Sequence, residues 1–82
     1  HLLDLEEEEI EIIEIRLGGK SPVVGRTVGE LNTPDNTLVI AIIRNGRGMV
    51  PNANTVFEEG DDILAVLDPE REEELKQIFT AS

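Results

Sequence analysis

The chain contains no cysteine, no tryptophan and no tyrosine, and its one histidine stands at position 1. Each absence closes off a class of chemistry. Without cysteine there is no disulfide scaffold, no thiolate zinc site and no cysteine nucleophile. With histidine confined to the N-terminus, no His-centred triad or histidine metal cluster is expected, and no catalytic or metal-binding set is assigned. Two phenylalanines are the only aromatics, so aliphatic side chains must build the core and nucleic-acid bases would find little to stack on. No apolar run approaches the roughly 20 residues that span a bilayer, and no secretory signal pattern opens the chain. A phosphate cradle is missing too. Asn45-Gly46-Arg47-Gly48 is not a GxGxxG element and does not lead into a helix.

What is present is 82 residues with 7 Lys+Arg against 18 Asp+Glu, a formal charge of −11. That length fits one small domain, which buries only about 60–65% of the surface its unfolded chain exposes. Taken as a whole, −11 repels phosphate. The charge is unevenly placed, however. Residues 1–15 carry seven acids and no Lys or Arg, residues 16–52 are net +3, and residues 53–82 are net −7. A weakly basic middle lies between two acidic ends. Solvated faces are the usual meaning of such blocks; a basic patch for binding is the alternative.

His1 to Leu5 has neither an initiator Met nor a targeting pattern, which suggests a piece of a longer polypeptide. From Glu9 to Leu17 the residues alternate, with β-branched side chains, as a strand does. The phase slips at Ile12-Ile13, so a β-bulge or a change of partner is expected there. Gly18-Gly19 ends the strand. Thr27-Val28-Gly29-Glu30 fits a capping box that opens one or two helical turns. Thr37 to Ile43 is a nearly continuous apolar run, TLVIAII, read as a central strand buried on both faces. Asn45-Gly46 is a type I′ hairpin signal, and the returning strand is placed at Arg47 to Pro51. Gly60-Asp61-Asp62 turns the chain into a short strand, Ile63 to Leu67. Asp68-Pro69 is an N-cap followed by Pro at N1. The following helix should run to about Phe79, with Leu75, Ile78 and Phe79 on one face and a Glu72–Lys76 pair. The order strand, short helix, hairpin, strand, helix defines an α+β domain with a mostly antiparallel sheet.

The paired carboxylates Asp61-Asp62 and Glu58-Glu59 are no obvious dyad, because adjacent strand residues point to opposite faces. The Glu6–Glu9 run lacks the spaced oxygens and turn glycine of a calcium loop. One positive feature stands out. Arg44 and Arg47 flank the hairpin tip, and arginine presents a planar fork suited to phosphate or carboxylate. Either the two hold an anionic ligand, or they pair with Glu9, Glu11 or Glu14 on a neighbouring strand.

Five segments in order resemble the TrkA-C domain, the C-terminal regulatory lobe of RCK proteins. They are Glu11 to Leu17, Ser21 to Leu31, Val39 to Gly46, Val50-Pro51 and Thr55 to Val66. The resemblance implies a β-X-ββ-X-β-α pseudo-barrel capped by a C-terminal helix, with residues 1–8 a remnant of the connection to an upstream domain and 9–82 the TrkA-C-like regulatory domain. It implies a homodimer, an upstream Rossmann-type nucleotide-binding lobe, and a membrane-embedded potassium channel or transporter as partner, on the cytoplasmic side. The poor catalytic inventory, the scarce aromatics and the net charge point to no enzyme and no nucleic-acid contact, and no direct membrane insertion and no cofactor in this domain are expected. A nucleotide effector of the cyclic di-AMP class is implied in the dimer cleft, which places Ile42, Arg44, Arg47, Val50, Pro51 and Asn52 as ligand candidates. A dimerisation module that reads no ligand is the alternative. A lipoyl- or biotin-carrier domain is disfavoured, because the hairpin tip carries Asn45-Gly46 and no lysine.

Overall fold

The computed structural model describes residues 10–80. The strands β1 (Glu11–Arg16), β2 (Thr37–Arg44), β3 (Arg47–Met49) and β4 (Asp62–Leu67) form one antiparallel sheet in the order β1-β4-β2-β3. The helix α1 (Glu72–Thr80) follows a 3-10 turn, Pro69–Arg71. A second 3-10 turn, Val28–Glu30, lies in the connection from β1 to β2. This is the α+β order that the sequence implies. The strand β3 is shorter than expected, ending at Met49 before Pro51, whose ring nitrogen has no proton for a ladder. The expected remnant at residues 1–8 and the Glu6–Glu9 run lie outside the described residues.

Turn chemistry sets the hairpin. Asn45 and Gly46 have φ of 53° and 78°, the left-handed pair that a type I′ turn needs to match the strand twist. At the helix start, the Asp68 carboxylate accepts the Glu70 N–H at 2.9 Å, satisfying one of the free first-turn donors. The Val28–Glu30 turn uses its box differently: Glu30 Oε1 accepts both Thr27 N–H at 2.8 Å and Thr27 Oγ1–H at 2.9 Å.

The inner face of the sheet carries Ile15, Ile42, Ile63, Ala65 and Leu67, which with Leu17, Val23, Phe57, Leu75 and Phe79 form one buried cluster. Phe57 and Phe79 meet edge to face, centroids 5.7 Å apart, a favoured aromatic geometry. Two connections pair over this face: Gly25 N–H donates to Phe57 O, Phe57 N–H to Arg26 O and Val28 N–H to Thr55 O, each at 2.9 Å. Gly29 closes the ladder, its N–H on Ala53 O at 2.9 Å. With α1, this ladder gives the barrel-like wrap around the core. Leu75 and Phe79 are the buried residues of α1, and Ile78 packs beside them.

Neither the bulge nor the change of partner expected at Ile12-Ile13 is there. The strand β1 pairs with β4 without a break, Glu11 opposite Leu67 through Arg16 opposite Asp62. The phase slip has another cause: Ile13, Ile15 and Leu17 face the core, while Ile12 faces out and is 51% exposed. The irregularity lies instead between Val39 and Ala41 of β2, where Val39 is opposite Ala65 and Ala41 opposite Leu64.

Candidate functional site: an uncovered apolar sheet face

A strand pairs residues that share a face. Ile12 is opposite Val66, and Val66 is opposite Leu38. These three form a row across β1, β4 and β2 on the side away from α1. The next positions on that side are Leu64, opposite Glu14 and Ala41, and Asp62, opposite Arg16 and Ile43. Gly48, opposite Ile43, brings no side chain to cover it. Leu38 is 65% exposed and Val50, just past β3, is 85% exposed. The expectation that β2 is buried on both faces is therefore met on one side only. Core, ladder and helix close the inner side; within one chain, among the described residues, the outer side stays open.

One border of this face is fixed by charge. The Arg16 fork meets Asp62 across the strands, Nε to Oδ1 at 3.0 Å and Nη2 to Oδ2 at 3.2 Å. Hydrogen bonding to Arg16 holds the Asp62 carboxyl below its ordinary range against a smaller opposing effect of burial. At the end where β2 begins and β4 ends, the face runs into a groove of about 440 Å³ lined by Ile10, Asn36, Thr37, Leu38, Val66 and Asp68, with Leu67. Asn36 takes a left-handed φ of 60°, which asparagine tolerates better than most residues.

The hairpin residues proposed from the sequence separate into two groups. Ile42 is 0% exposed and belongs to the core, so its side chain cannot face a ligand; it lies on the inner side, opposite Met49 and Ile63. Arg44 is also committed elsewhere. Its Nε and Nη2 donate to Asp61 Oδ1 and Oδ2, each at 2.8 Å, its Nη2 donates to Val56 O at 2.8 Å, and its Nη1 lies 3.1 Å from Glu58 Oε2. The partners are thus Asp61 and Glu58, not Glu11 or Glu14, because β1 lies beyond β4 from β2; Glu9 lies outside the described residues. Asp61 is 1% exposed and also accepts Glu58 N–H at 2.9 Å. Burial works against its charge, and the Arg44 fork with the Glu58 amide overcomes that and holds the carboxyl below its ordinary value. Asp61 is a structural carboxylate that a turn motif alone did not reveal.

Arg47, Val50, Pro51 and Asn52 form the second group, from the returning strand and just past it; Arg47, Val50 and Asn52 are exposed and Pro51 is half-buried. Arg47 is exposed and has no ion-pair partner among the described residues. Asn52 braces its own loop, its Oδ1 accepting Asn54 N–H at 2.8 Å and its N–H donating to Thr55 Oγ1 at 2.9 Å. Among the described residues no group of three or more His, Asp or Glu side chains is placed to hold a metal. No helix among them is long and apolar enough to cross a membrane.

The outer row was missed at the sequence level, although its signal was there. Ile12 breaks the in–out alternation of β1, and TLVIAII supplies more apolar residues than one face of β2 needs.

A sheet closed on one side by its own helix and loops, and left apolar on the other among the described residues, makes a small α+β lobe with one open face. The chain belongs to the TrkA-C domain family, whose family model matches residues 12–80. It is 32% identical over 81 residues to the Trk system potassium uptake protein TrkA of Mycobacterium tuberculosis, covering 99% of this chain and 37% of that protein. It is 34% identical over 71 residues to the TrkA homolog of Archaeoglobus fulgidus, covering 87% of this chain and 16% of that protein. The chain thus spans little more than a third of such relatives, or less. Among solved structures it is similar to the RCK_C domain dimer of S. agalactiae BusR in complex with c-di-AMP. That match has a TM-score of 0.72 and 31% identity, and covers 83% of this chain and 93% of that one. A structure of an RCK domain with cda matches with a TM-score of 0.72 at 26% identity, covering 84% of this chain and 97% of that one.

Proposed function

We propose that this chain is the regulatory lobe of a potassium uptake or channel system that pairs with a second copy through the outer face of its sheet and reads a small nucleotide effector at the junction. The observation that carries the reading is the row Ile12, Val66 and Leu38 on a face that one chain leaves open. Isolated exposed apolar residues need no explanation, whereas a continuous row at strand register does. A two-fold pair would let the same patch cover itself. The Trk relatives and the c-di-AMP-bound RCK_C dimer support the transport setting, the pairing and the effector class.

Arg47, Val50, Pro51 and Asn52 are the residues offered as effector contacts. Arg47 supplies a cation for phosphate, and Val50 with Pro51 supplies apolar surface for a base. Arg44 acts behind them by holding the loop from Val56 to Asp61 against β2. The effector gates transport only through unequal affinity for two arrangements of the paired lobes. A Rossmann-type lobe upstream would receive that change and pass it to a membrane-embedded partner, with this lobe on the cytoplasmic side. Catalysis is no part of this role, and with a net charge of −11 neither is contact with nucleic acid.

The test is calorimetric titration of the chain with cyclic di-AMP, ATP and AMP, alongside light scattering. Saturable heat with cyclic di-AMP, at one ligand per two chains, supports the sensor. A dimer that gives no heat with any of the three reduces the lobe to a structural pairing module, the second reading. A strict monomer at high micromolar concentration contradicts both.

A further inference from the structure

Apart from the pairing face, the described residues contain one polar cluster that neither the core nor the outer face explains. Glu11, the first residue of β1, lies on the inner side of the sheet with Ile13 and Ile15, opposite the buried Leu67. Its Oε1 is buried and has no hydrogen-bond partner. It faces Glu72, the first residue of α1. One turn further along the helix, Lys76 Nζ lies 2.6 Å from Glu72 Oε2.

Two carboxylates against one ammonium leave a negative charge uncompensated where part of the water has been removed. A carboxylate is acceptor only, so two ionised ones cannot hydrogen-bond each other; adding a proton to one creates a charge-assisted O–H···O⁻ bond. We propose that Glu11, Glu72 and Lys76 form a proton-responsive latch between the first strand and the C-terminal helix, closing when Glu11 takes up a proton.

The groups that face Glu11 support this assignment. From α1 they are Glu72 and Lys76, with Glu73 acting on Lys76; from β4, Leu67 is apolar. The hydrogen bond to Glu72 that only a protonated Glu11 can donate, then burial, then the Glu72 charge raise the Glu11 carboxyl above its ordinary value of 4.5, while Lys76 pulls weakly the other way. Glu72 is displaced downward by the same hydrogen bond and by Lys76. In such a coupled pair the proton belongs to the pair. The sign is opposite to that of an ordinary salt bridge. A folded-state value above the unfolded one makes the latch contribution fully present at low pH and lost as pH rises through the folded value.

Because β1 is the first element of the lobe and α1 the last, the latch makes their docking a reader of protons, independent of any effector. This sensitivity does not depend on the pairing face.

The test is an NMR pH titration of the 82-residue chain and of Glu11→Gln, following the Glu11 side-chain carboxyl and α1 amide exchange corrected for intrinsic rates. In the parent, Glu11 should titrate above 4.5, and α1 protection should rise as pH falls from 7.5 through the Glu11 midpoint. Glu11→Gln, whose amide can donate to Glu72 at any pH, should remove that rise and show the protected level at pH 7.5. Glu72→Gln is the control for loss of packing, since it keeps the contact and should bring Glu11 back toward 4.5. A Glu11 midpoint at or below 4.5, or the same α1 pH response in parent and Glu11→Gln, would overturn the latch.

Discussion

Arg44 and Asp61 are joined by two parallel hydrogen bonds, each 2.8 Å long, between the end of β2 and the turn that opens β4. The pair explains why an arginine beside a hairpin tip is not a free anion site. It also makes a direct stability prediction. Arg44→Met leaves the 1%-exposed Asp61 carboxylate with only the Glu58 amide, and removing one partner of a buried pair costs about 3–5 kcal/mol. Thermal unfolding should show that loss, and Arg44→Lys should recover only part of it, because one ammonium cannot supply the fork.

Acid should destabilise the chain through the same carboxylate. Asp61, Asp62 and Glu30 are all held below their ordinary values, Asp61 by Arg44 and the Glu58 amide against its own burial, Asp62 by Arg16, and Glu30 by the Thr27 amide and hydroxyl. Depressed carboxyls contribute stability above their unfolded values, and that contribution is lost as pH falls through the folded ones. Unfolding midpoints should therefore fall below about pH 4, opposite in sign to the Glu11 contribution. Asp61→Asn should flatten part of the acid limb in urea titrations while lowering stability at pH 7.

Glycine at position 29 is dictated by its neighbour. A Cβ there would lie 2.9 Å from Ala53 O, an atom of the backbone that receives the Gly29 N–H. Gly29→Ala should cost about 1–3 kcal/mol by forcing the two connections apart, measured by urea unfolding. Gly48→Ala meets nothing within 4 Å and should change stability little.

Phe79 anchors α1. Its ring is fully buried and packs edge to face on Phe57, so Phe79→Ala should cost about 3–5 kcal/mol. The same substitution should release the helix first, seen as lost amide protection over Glu72–Thr80 before the sheet opens.

Much of this architecture was legible in local chemistry. Asn45-Gly46 announced the hairpin, Asp68-Pro69 the helix start, and the spacing of Leu75, Ile78 and Phe79 the helix face that packs inward. What escaped depends on contacts between distant segments. The Arg44–Asp61 pair joins residues 17 apart, and adjacent acids at 61 and 62 gave no sign of which would be buried. The slip at Ile12-Ile13 suggests a bulge or a change of partner, because an exposed isoleucine is the less common explanation in a single chain. On an open sheet face it is the simpler one. The bulge at Ile40 was hidden inside TLVIAII, where every residue is apolar or small and no phase can be read.

The most direct test of the pairing face is sedimentation equilibrium of the parent chain and of Leu38→Glu at matched concentrations, with circular dichroism to confirm the fold. Leu38 is 65% exposed, so the charge should leave the folded chain intact. The account predicts a dimer for the parent and a folded monomer for Leu38→Glu. A parent that stays monomeric at high micromolar concentration, or a variant that dimerises as tightly as the parent, would contradict it.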